Sequence, residues 1–106
     1  MNYVNVFKVL ANEHRLNILQ WLKDPVKCFS EYVSNEEGMR SLADNFGVCV
    51  GLIQRRCSLS QPTVSGYLKQ MEDAGLLKSK RYGMWTHYGR DEDAIAKLVD
   101  FVGTEL

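Results

Sequence analysis

The fold is decided by the stretch Ser60–Leu68, which reads SQPTVSGYL. Ser60 is a residue type that caps helix N-termini, and Pro62 fits the first helical turn, where its missing N–H costs little. Small polar side chains fill this turn, and an apolar stripe of Val64, Leu68 and Met71 follows at helical spacing. The stretch therefore predicts a helix with a polar start and one buried face.

A second helix is predicted before this one and a hairpin after it. Residues 47–56 place apolar side chains on one helical face, and residues 57–59 form a tight connection. Residues 76–81 and 84–90 are strand-like and are joined by a turn at 82–83. Helix, turn, helix and hairpin in this order predict a winged helix-turn-helix.

Both ends of the chain predict amphipathic helices with identical spacing of their apolar residues. The two stripes are Tyr3, Val6, Phe7 and Leu10, and Ile95, Leu98, Val99 and Val102. A small domain need not bury both stripes against itself, so we expect a dimer through the terminal helices.

The segment between the first helix and the helix-turn-helix is less regular. Asn12 is a residue type suited to cap a helix that ends at Asp24-Pro25. Residues 24–46 are predicted as a long irregular loop with about one helical turn. The fold class is mainly α with a small β-hairpin, in the order α-α-α-α-β-β-α, within a single domain over residues 1–106.

Length and composition exclude several classes of protein. The chain has 106 residues and 12.1 kDa, with 45% hydrophobic and 25% charged residues, as expected of one globular domain. No apolar run approaches the roughly 20 residues that a membrane helix needs. Three cysteines and an N-terminus unlike a secretory signal favour reduced thiols and a cytoplasmic protein.

Charge is distributed unevenly although the net charge is zero. Between Gln54 and Arg81 there are six basic and two acidic residues, whereas Asp91–Leu106 holds five acidic residues and one basic. The basic charge in the middle of the chain predicts a surface that binds polyanions, and an ordinary solvated surface remains the alternative.

Four segments resemble the ArsR/SmtB family of bacterial winged-helix repressors. They are Leu10–Leu19, Ser60–Leu68, Ala74–Leu77 and Gly83–Tyr88, and the resemblance covers most of the chain outside residues 24–46. The resemblance implies a homodimeric, cytoplasmic transcriptional repressor that an inducer, here unidentified, releases from DNA.

The candidate DNA-binding residues lie in the second helix and the hairpin. Small polar side chains at a helix N-terminus allow close approach to DNA, and exposed cations neutralise phosphates. We expect the helix to lie in the major groove of double-stranded DNA and the hairpin to lie against flanking backbone. A homodimer would read an inverted-repeat operator. The predicted DNA-binding residues are Ser60, Gln61, Thr63, Ser65, Gly66, Lys69, Lys80 and Arg81.

The metal sites typical of the resembled family are incomplete in this sequence. Arsenite sensors carry a Cys-Val-Cys-x-x-Cys run, of which Cys49 alone is present, followed by Val50 and Gly51. Zinc sensors use acidic and histidine ligands on the last helix, and no histidine occurs after residue 90. One thiolate cannot complete a soft-metal site, so we expect no metal and no cofactor.

Three cysteines are candidate thiol sensors: Cys28, Cys49 and Cys57. Cys49 is predicted on the apolar helix face as a buried small hydrophobe. Cys57 follows Arg55 and Arg56, whose charges favour a thiolate, while the helix C-terminus opposes it. Within one continuous helix Cys49 and Cys57 would lie about 12 Å apart, too far for a disulfide. A thiol-redox-responsive regulator without metal sensing stays open as an alternative.

Two other function classes are alternatives to a DNA-binding regulator. An enzyme is disfavoured because the chain has no Cys-x-x-Cys motif, no phosphate-cradling glycine loop and no Ser/His/Asp arrangement. A winged helix that contacts other proteins remains an alternative, although it need not keep a basic hairpin and a polar helix start.

Five further side chains of the predicted helix-turn-helix and hairpin have expected roles. Trp85 and Tyr88 are expected to pack beneath the hairpin, and His87 is expected to pack or belong to the wing. Arg55 and Arg56 are expected either to contact phosphate or to form a solvated helix end.

Overall fold

The computed structural model describes all residues, 1–106, and contains seven α-helices and one three-stranded antiparallel sheet. None of the helices is long and apolar enough to cross a membrane. The helices are α1 (Tyr3–Leu10), α2 (Glu13–Trp21), α3 (Pro25–Phe29), α4 (Glu36–Asp44), α5 (Val50–Cys57), α6 (Gln61–Asp73) and α7 (Glu92–Glu105). The strands are β1 (Val48–Cys49), β2 (Leu77–Tyr82) and β3 (Trp85–Arg90).

Side-chain caps explain where the helices begin. Asn12, Ser60 and Asp91 each accept a hydrogen bond from a backbone N–H in the first turn, which confirms the caps predicted at Asn12 and Ser60. These bonds satisfy N–H groups that have no partner within the helix.

Residues 24–46 are not an irregular loop, and this expectation is wrong. The segment contains α3, a 3-10 turn at Ser30–Tyr32 and α4. Asp24 caps α3 and Asn35 caps α4, and each helix buries one apolar side chain, Phe29 or Leu42. Each of these short helices therefore begins at a side-chain cap and is anchored by one buried side chain.

The sheet has the order β1-β3-β2, and the predicted hairpin is confirmed by the pairing of Tyr82 with Trp85. Residues Val48 and Cys49 pair with β3 and do not belong to a helix, contrary to the sequence-based expectation. Gly47 has a positive φ of 67°, and a Cβ there would collide with the backbone of Tyr88. The close approach of these two chains explains why a glycine precedes β1 and why α5 begins later than predicted.

The core lies where α1, α2 and α6 meet the base of the hairpin. Its fully buried side chains include Ile18, Leu68, Met71 and Leu76. Arg15 ties the three helices together, because its Nε donates to the Val9 carbonyl at 2.6 Å and its Nη1 donates to Gln70 Oε1 at 2.9 Å. Such packing fixes α6 on the body of the protein while its other face stays in solvent.

Replacing Asn35 with alanine is expected to lower the free energy of unfolding by about 1 kcal/mol, because α4 loses its cap. The Asn35 side chain accepts from the Gly38 N–H at 2.7 Å. Urea denaturation measures the effect, and Asn5→Ala is the matched control because Asn5 is exposed within α1 and caps nothing. Equal stability of the two variants would contradict a capping role for Asn35.

Candidate nucleic-acid interface

A short, well-defined turn connects α5 to α6. Ser58 has a left-handed φ of 56°, and its N–H donates to the Gln54 carbonyl at 3.0 Å. Gln54 Nε2 also donates to the Leu59 carbonyl at 3.3 Å. These bonds close the C-terminus of α5 and hold the angle at which α6 leaves the turn.

The first turn of α6 presents polar groups that bond to one another. Ser60 Oγ accepts from the Thr63 N–H at 3.3 Å and lies 2.7 Å from Thr63 Oγ1. Gln61 Nε2 donates to Ser65 Oγ at 2.9 Å. Gln61 and Thr63 are exposed, and Ser65 is half-buried. The predicted DNA-binding residues of this turn are therefore brought together at one surface.

The opposite face of α6 holds the helix in place. Val64, Leu68 and Met71 are all buried, which confirms the predicted inward stripe. Gly66 lies on the exposed side, and no neighbouring atom lies within 4 Å of the position a Cβ would take. Because Gly66 has no side chain, a partner can approach the backbone of α6 closely at this point.

Lys69 lies on the solvent side of α6, as predicted, and forms an ion pair with Asp73. Its Nζ lies 3.1 Å from Asp73 Oδ1, and both side chains are mostly exposed. The hydrogen bond with Asp73 raises the pKa of Lys69, so the ammonium stays charged. An exposed pair of this kind is weak, and it leaves the cation free to exchange its partner for a phosphate.

The hairpin carries its predicted cations on opposite faces. Lys80 and Arg81 are adjacent and exposed on β2, and successive strand residues point to opposite sides of a sheet. Lys80 Nζ lies 5.3 Å from the centre of the Tyr82 ring. The base of the hairpin is tied to α6, because Ser79 Oγ donates to Glu72 Oε2 at 2.7 Å.

Three predicted side-chain roles at this surface need correction or refinement. Arg56 donates to the Cys28 carbonyl, and its guanidinium lies 4.4 Å from the centre of the Trp21 ring. Arg56 therefore has a structural role, and neither a phosphate contact nor a solvated helix end describes it. Arg55 is exposed but donates to the Tyr32 carbonyl at 2.8 Å. Trp85 is 66% exposed and does not pack beneath the hairpin, because it lies next to the turn.

The three cysteines are half-buried and none forms a disulfide. Cys49 lies in β1, outside α5, so the predicted continuous helix between Cys49 and Cys57 does not exist. Cys57 ends α5, and burial raises its pKa although the Arg56 charge opposes the shift. Burial therefore outweighs the predicted thiolate-favouring effect of the basic pair. Thiol sensing at Cys28, Cys49 and Cys57 stays a prediction.

His87 is a buried polar residue, in line with its predicted packing role. Its side chain is 5% exposed, and its ring centre lies 4.7 Å from that of Tyr82. Nδ1 of His87 is buried without a hydrogen-bond partner. Burial lowers the pKa of His87, and the nearby backbone of Gly47 and Phe46 opposes this effect in part.

Acidification from about pH 7 to about pH 5 is expected to destabilise the protein through His87. Because the unfolded histidine takes up a proton near its ordinary pKa and the native one resists, the unfolded state binds more protons in this window. Stability therefore rises with pH through the window. Denaturation at several pH values measures this, and His87→Phe should flatten the profile. Identical profiles for the wild type and His87→Phe would contradict the assignment.

Metal-ligating side chains are scattered over the structure. No group of three His, Cys, Asp or Glu side chains lies close enough together to hold a metal ion. Cys49 and His87 are cross-strand partners of β1 and β3.

The terminal helices contact each other and leave an apolar face in solvent. The rings of Tyr3 and Phe101 stack with centres 3.9 Å apart. Val6 of the predicted stripe is buried in the core, whereas Phe7, Val99 and Val102 are exposed. Val4 is also exposed. It was absent from the predicted stripe, although its position three residues before Phe7, and so on the same side of α1, was the available signal.

Comparison with known proteins assigns the chain to a family. No protein-family model matches the sequence. The chain is 45% identical, over 106 residues that make up 100% of both proteins, to the HTH-type transcriptional regulator YbzH of Bacillus subtilis. It is 32% identical to the arsenical resistance operon repressor of Escherichia coli over 85 residues, which are 80% of this chain and 56% of that repressor.

A solved structure shares the fold. The homodimeric winged helix-turn-helix DNA-binding domain of Mb0332 from Mycobacterium bovis, described as a possible ArsR-family regulator, matches with a TM-score of 0.64 and 23% identity. The match covers 95% of this chain and 74% of that one. With the helix-turn-helix formed by α5 and α6 and the wing formed by β2 and β3, these relatives show that the chain belongs to the ArsR family of winged helix-turn-helix transcriptional regulators.

Proposed function

We propose that the protein represses transcription by binding an inverted-repeat DNA operator as a homodimer. The observation that carries this proposal is the exposed polar first turn of α6 beside the exposed cations of β2. Binding without catalysis is supported by the relatives reported above, which are named as regulators or a repressor.

α6 has the features of a recognition helix. Gln61 and Ser65 bond to each other at 2.9 Å and lie on the solvent side, so each can exchange that bond for a base edge in the major groove. The N-terminus of α6 also presents unpaired N–H groups and a positive dipole end toward phosphate. Ser60, Thr63 and Gly66 have small side chains or none, so the start of α6 can approach DNA closely over a wider surface.

The wing contributes binding energy that does not depend on sequence. Lys80 and Arg81 are exposed on both faces of β2, so one chain can contact backbone phosphates on either side of the wing. Phosphate contacts position a protein on DNA, and base contacts specify the site. Lys69 extends the cationic surface along α6.

Dimerisation through α1 and α7 is supported by the apolar face that they expose. Phe7, Val99 and Val102 lie on it, and Val4 extends it. The structural relative Mb0332 is homodimeric. A two-fold pairing of this face would place two copies of α6 on successive turns of DNA, which is why an inverted repeat is the proposed operator.

Selection of bound DNA from a random pool tests the proposal and should yield an inverted repeat. Affinity for the selected site is expected to fall with salt, with a slope of about −0.9 in log–log form for each phosphate contacted. Changing Lys80 and Arg81 to alanine together should make this slope shallower by about 3 to 4, because a dimer loses four cations.

Lys23→Ala is the matched control for the salt slope, because Lys23 is exposed in the turn after α2 and away from α6 and the wing. A pool that yields no common sequence, with an affinity independent of salt, would contradict DNA binding. That result would favour the alternative of a protein-binding winged helix.

A further inference from the structure

The tip of the wing holds two large apolar side chains in solvent. Met84 is 85% exposed and Trp85 is 66% exposed. Met84 follows Gly83, which has a positive φ of 62° in the turn between β2 and β3. No neighbouring atom lies within 4 Å of the position that a Cβ of Gly83 would take. Because exposed apolar surface is unfavourable in water, two such neighbours at an open tip point to a contact with another molecule.

The rest of the hairpin holds the backbone of this tip in place. Each residue of β2 pairs with a residue of β3, up to Tyr82 and Trp85 beside the turn. Behind the tip, Tyr82 Oη accepts a hydrogen bond from the Phe46 N–H at 2.7 Å, and the Tyr82 ring centre lies 4.7 Å from that of His87. The tip is therefore preorganised, so a contact there costs little ordering of the chain.

The charge of the wing indicates a polyanion as the partner. Residues 78–90 contain Lys78, Lys80, Arg81 and Arg90 and no acidic residue. The three cations on β2 are all exposed. Apolar side chains flanked by cations suit the grooves of double-stranded DNA, since phosphates border each groove and the base pairs inside it are apolar on their stacked faces.

The size and reach of the tip fit a minor groove. This groove is about 6 Å wide, and Gly83 adds no side chain to the width of the turn that carries Met84. Ser79 Oγ bonds to Glu72 of α6, and the chain from Ser79 to Met84 spans up to about 16 Å. A minor groove lies about half a DNA turn, or about 17 Å, from the neighbouring major groove. With α6 in the major groove, the tip therefore has the reach to enter the next minor groove.

We propose that Met84 enters this minor groove, partly unstacks one base step and bends the DNA, with Trp85 packed on the sugars behind it. The proposal rests on the proposed function. Methionine is one of the apolar side chains that act as wedges between bases. Because pyrimidine–purine steps such as TA unstack most easily, the wedge adds a sequence preference to the phosphate contacts of Lys80 and Arg81.

Unstacking is tested with 2-aminopurine, an adenine analogue whose fluorescence rises when it leaves the stack. It replaces adenine at successive positions on both flanks of the selected operator. Saturating wild-type protein should raise the emission at least about threefold at one step on each flank, and energy transfer between labels on the two DNA ends should report a bend. Met84→Ala should abolish the rise and reduce the bend. Met84→Leu, which keeps a wedge side chain, should retain both.

Two further measurements separate the wedge from the phosphate contacts. Met84→Ala should leave the salt slope unchanged but lose a preference of at least about fivefold for a TA step over a GC step at the unstacked position. Lys80→Ala is the matched control, because it removes a cation and keeps the wedge. It should make the salt slope shallower and, at saturation, retain the rise in emission.

The position of Trp85 has its own readout. The chain contains two tryptophans, so Trp21→Phe leaves Trp85 as the sole source of tryptophan fluorescence. Bound DNA should reduce the quenching of this emission by acrylamide at least about twofold, because the exposed indole becomes covered. Unchanged quenching in a complex that forms normally would remove Trp85 from the contact.

The wild-type protein distinguishes failure of the wedge from failure of DNA binding. Absence of any complex with DNA would overturn the proposed function and the wedge with it. An operator that is bound without a rise in emission at any flanking position would overturn the wedge alone. The same holds if Met84→Ala retains both the rise and the TA preference, and the exposed tip would then be assigned to contact with a protein.

Discussion

Replacing Val99 with glutamate is expected to convert the protein from a dimer to a monomer at micromolar concentration. Val99 is 66% exposed on α7, so the substitution leaves the core of each protomer intact. In a two-fold interface each protomer contributes one new carboxylate, and each carboxylate loses its hydration without gaining a counter-charge. Because such burial costs several kcal/mol, we expect the dimer dissociation constant to rise at least about 100-fold.

Sedimentation velocity measures the change of mass, and a DNA-binding assay measures its consequence. A monomer holds one recognition helix, so affinity for the inverted repeat should fall at least as steeply as the dimer population. Val26→Glu is the matched control, because Val26 is 41% exposed on α3, away from the terminal helices. A Val99→Glu protein that sediments as a dimer would exclude this face as the interface.

The helix-turn-helix and the wing were predictable because their signals are local. Ser60 caps α6, and Gly83 has the positive φ of 62° that the hairpin turn requires. The stripe from Val64 to Met71 repeats at helical spacing and is buried. Each of these features depends on residues within a few positions of one another, so the sequence alone determines them.

The helices of residues 24–46 were missed because both are short and their sequence signals span few residues. α3 has five residues and α4 has nine, and each buries one side chain. α3 is too short to show a period, and the apolar side of α4 consists mainly of Met39 and Leu42, three positions apart, which is too short a pattern to distinguish a helix from a loop. Contacts with the rest of the fold decide the outcome for segments this short.

Side-chain roles that depend on contacts between distant parts of the chain could not be predicted from the sequence either. Arg56 bonds to the carbonyl of Cys28, 28 positions earlier, and lies over Trp21. Its position next to Arg55 in a basic helix end gave no sign of this. A cleft of about 560 Å³ has the same origin, because it is lined by residues of α4 and of β3, which are far apart in the chain.

Gln61→Ala and Ser65→Ala are each expected to change which DNA sequences the protein prefers. Both side chains lie at the start of α6 and already bond to each other, so each has a donor or acceptor at the proposed DNA surface. Loss of a good base contact costs about 1–3 kcal/mol of discrimination, or about 5- to 150-fold. In contrast, Lys80→Ala and Arg81→Ala should weaken binding to all sequences alike, because phosphates carry no base identity.

Binding of each variant to the selected operator and to a scrambled duplex measures the ratio of the two affinities. Gln20→Ala is the matched control, because Gln20 is exposed on α2 and outside the proposed interface. It should leave both affinities unchanged. If Gln61→Ala and Ser65→Ala lower both affinities equally, α6 contacts the backbone and does not read bases, and the recognition element must then be sought in the wing. Exposed Trp85 and Met84, next to its turn, would be the first residues to substitute in that case.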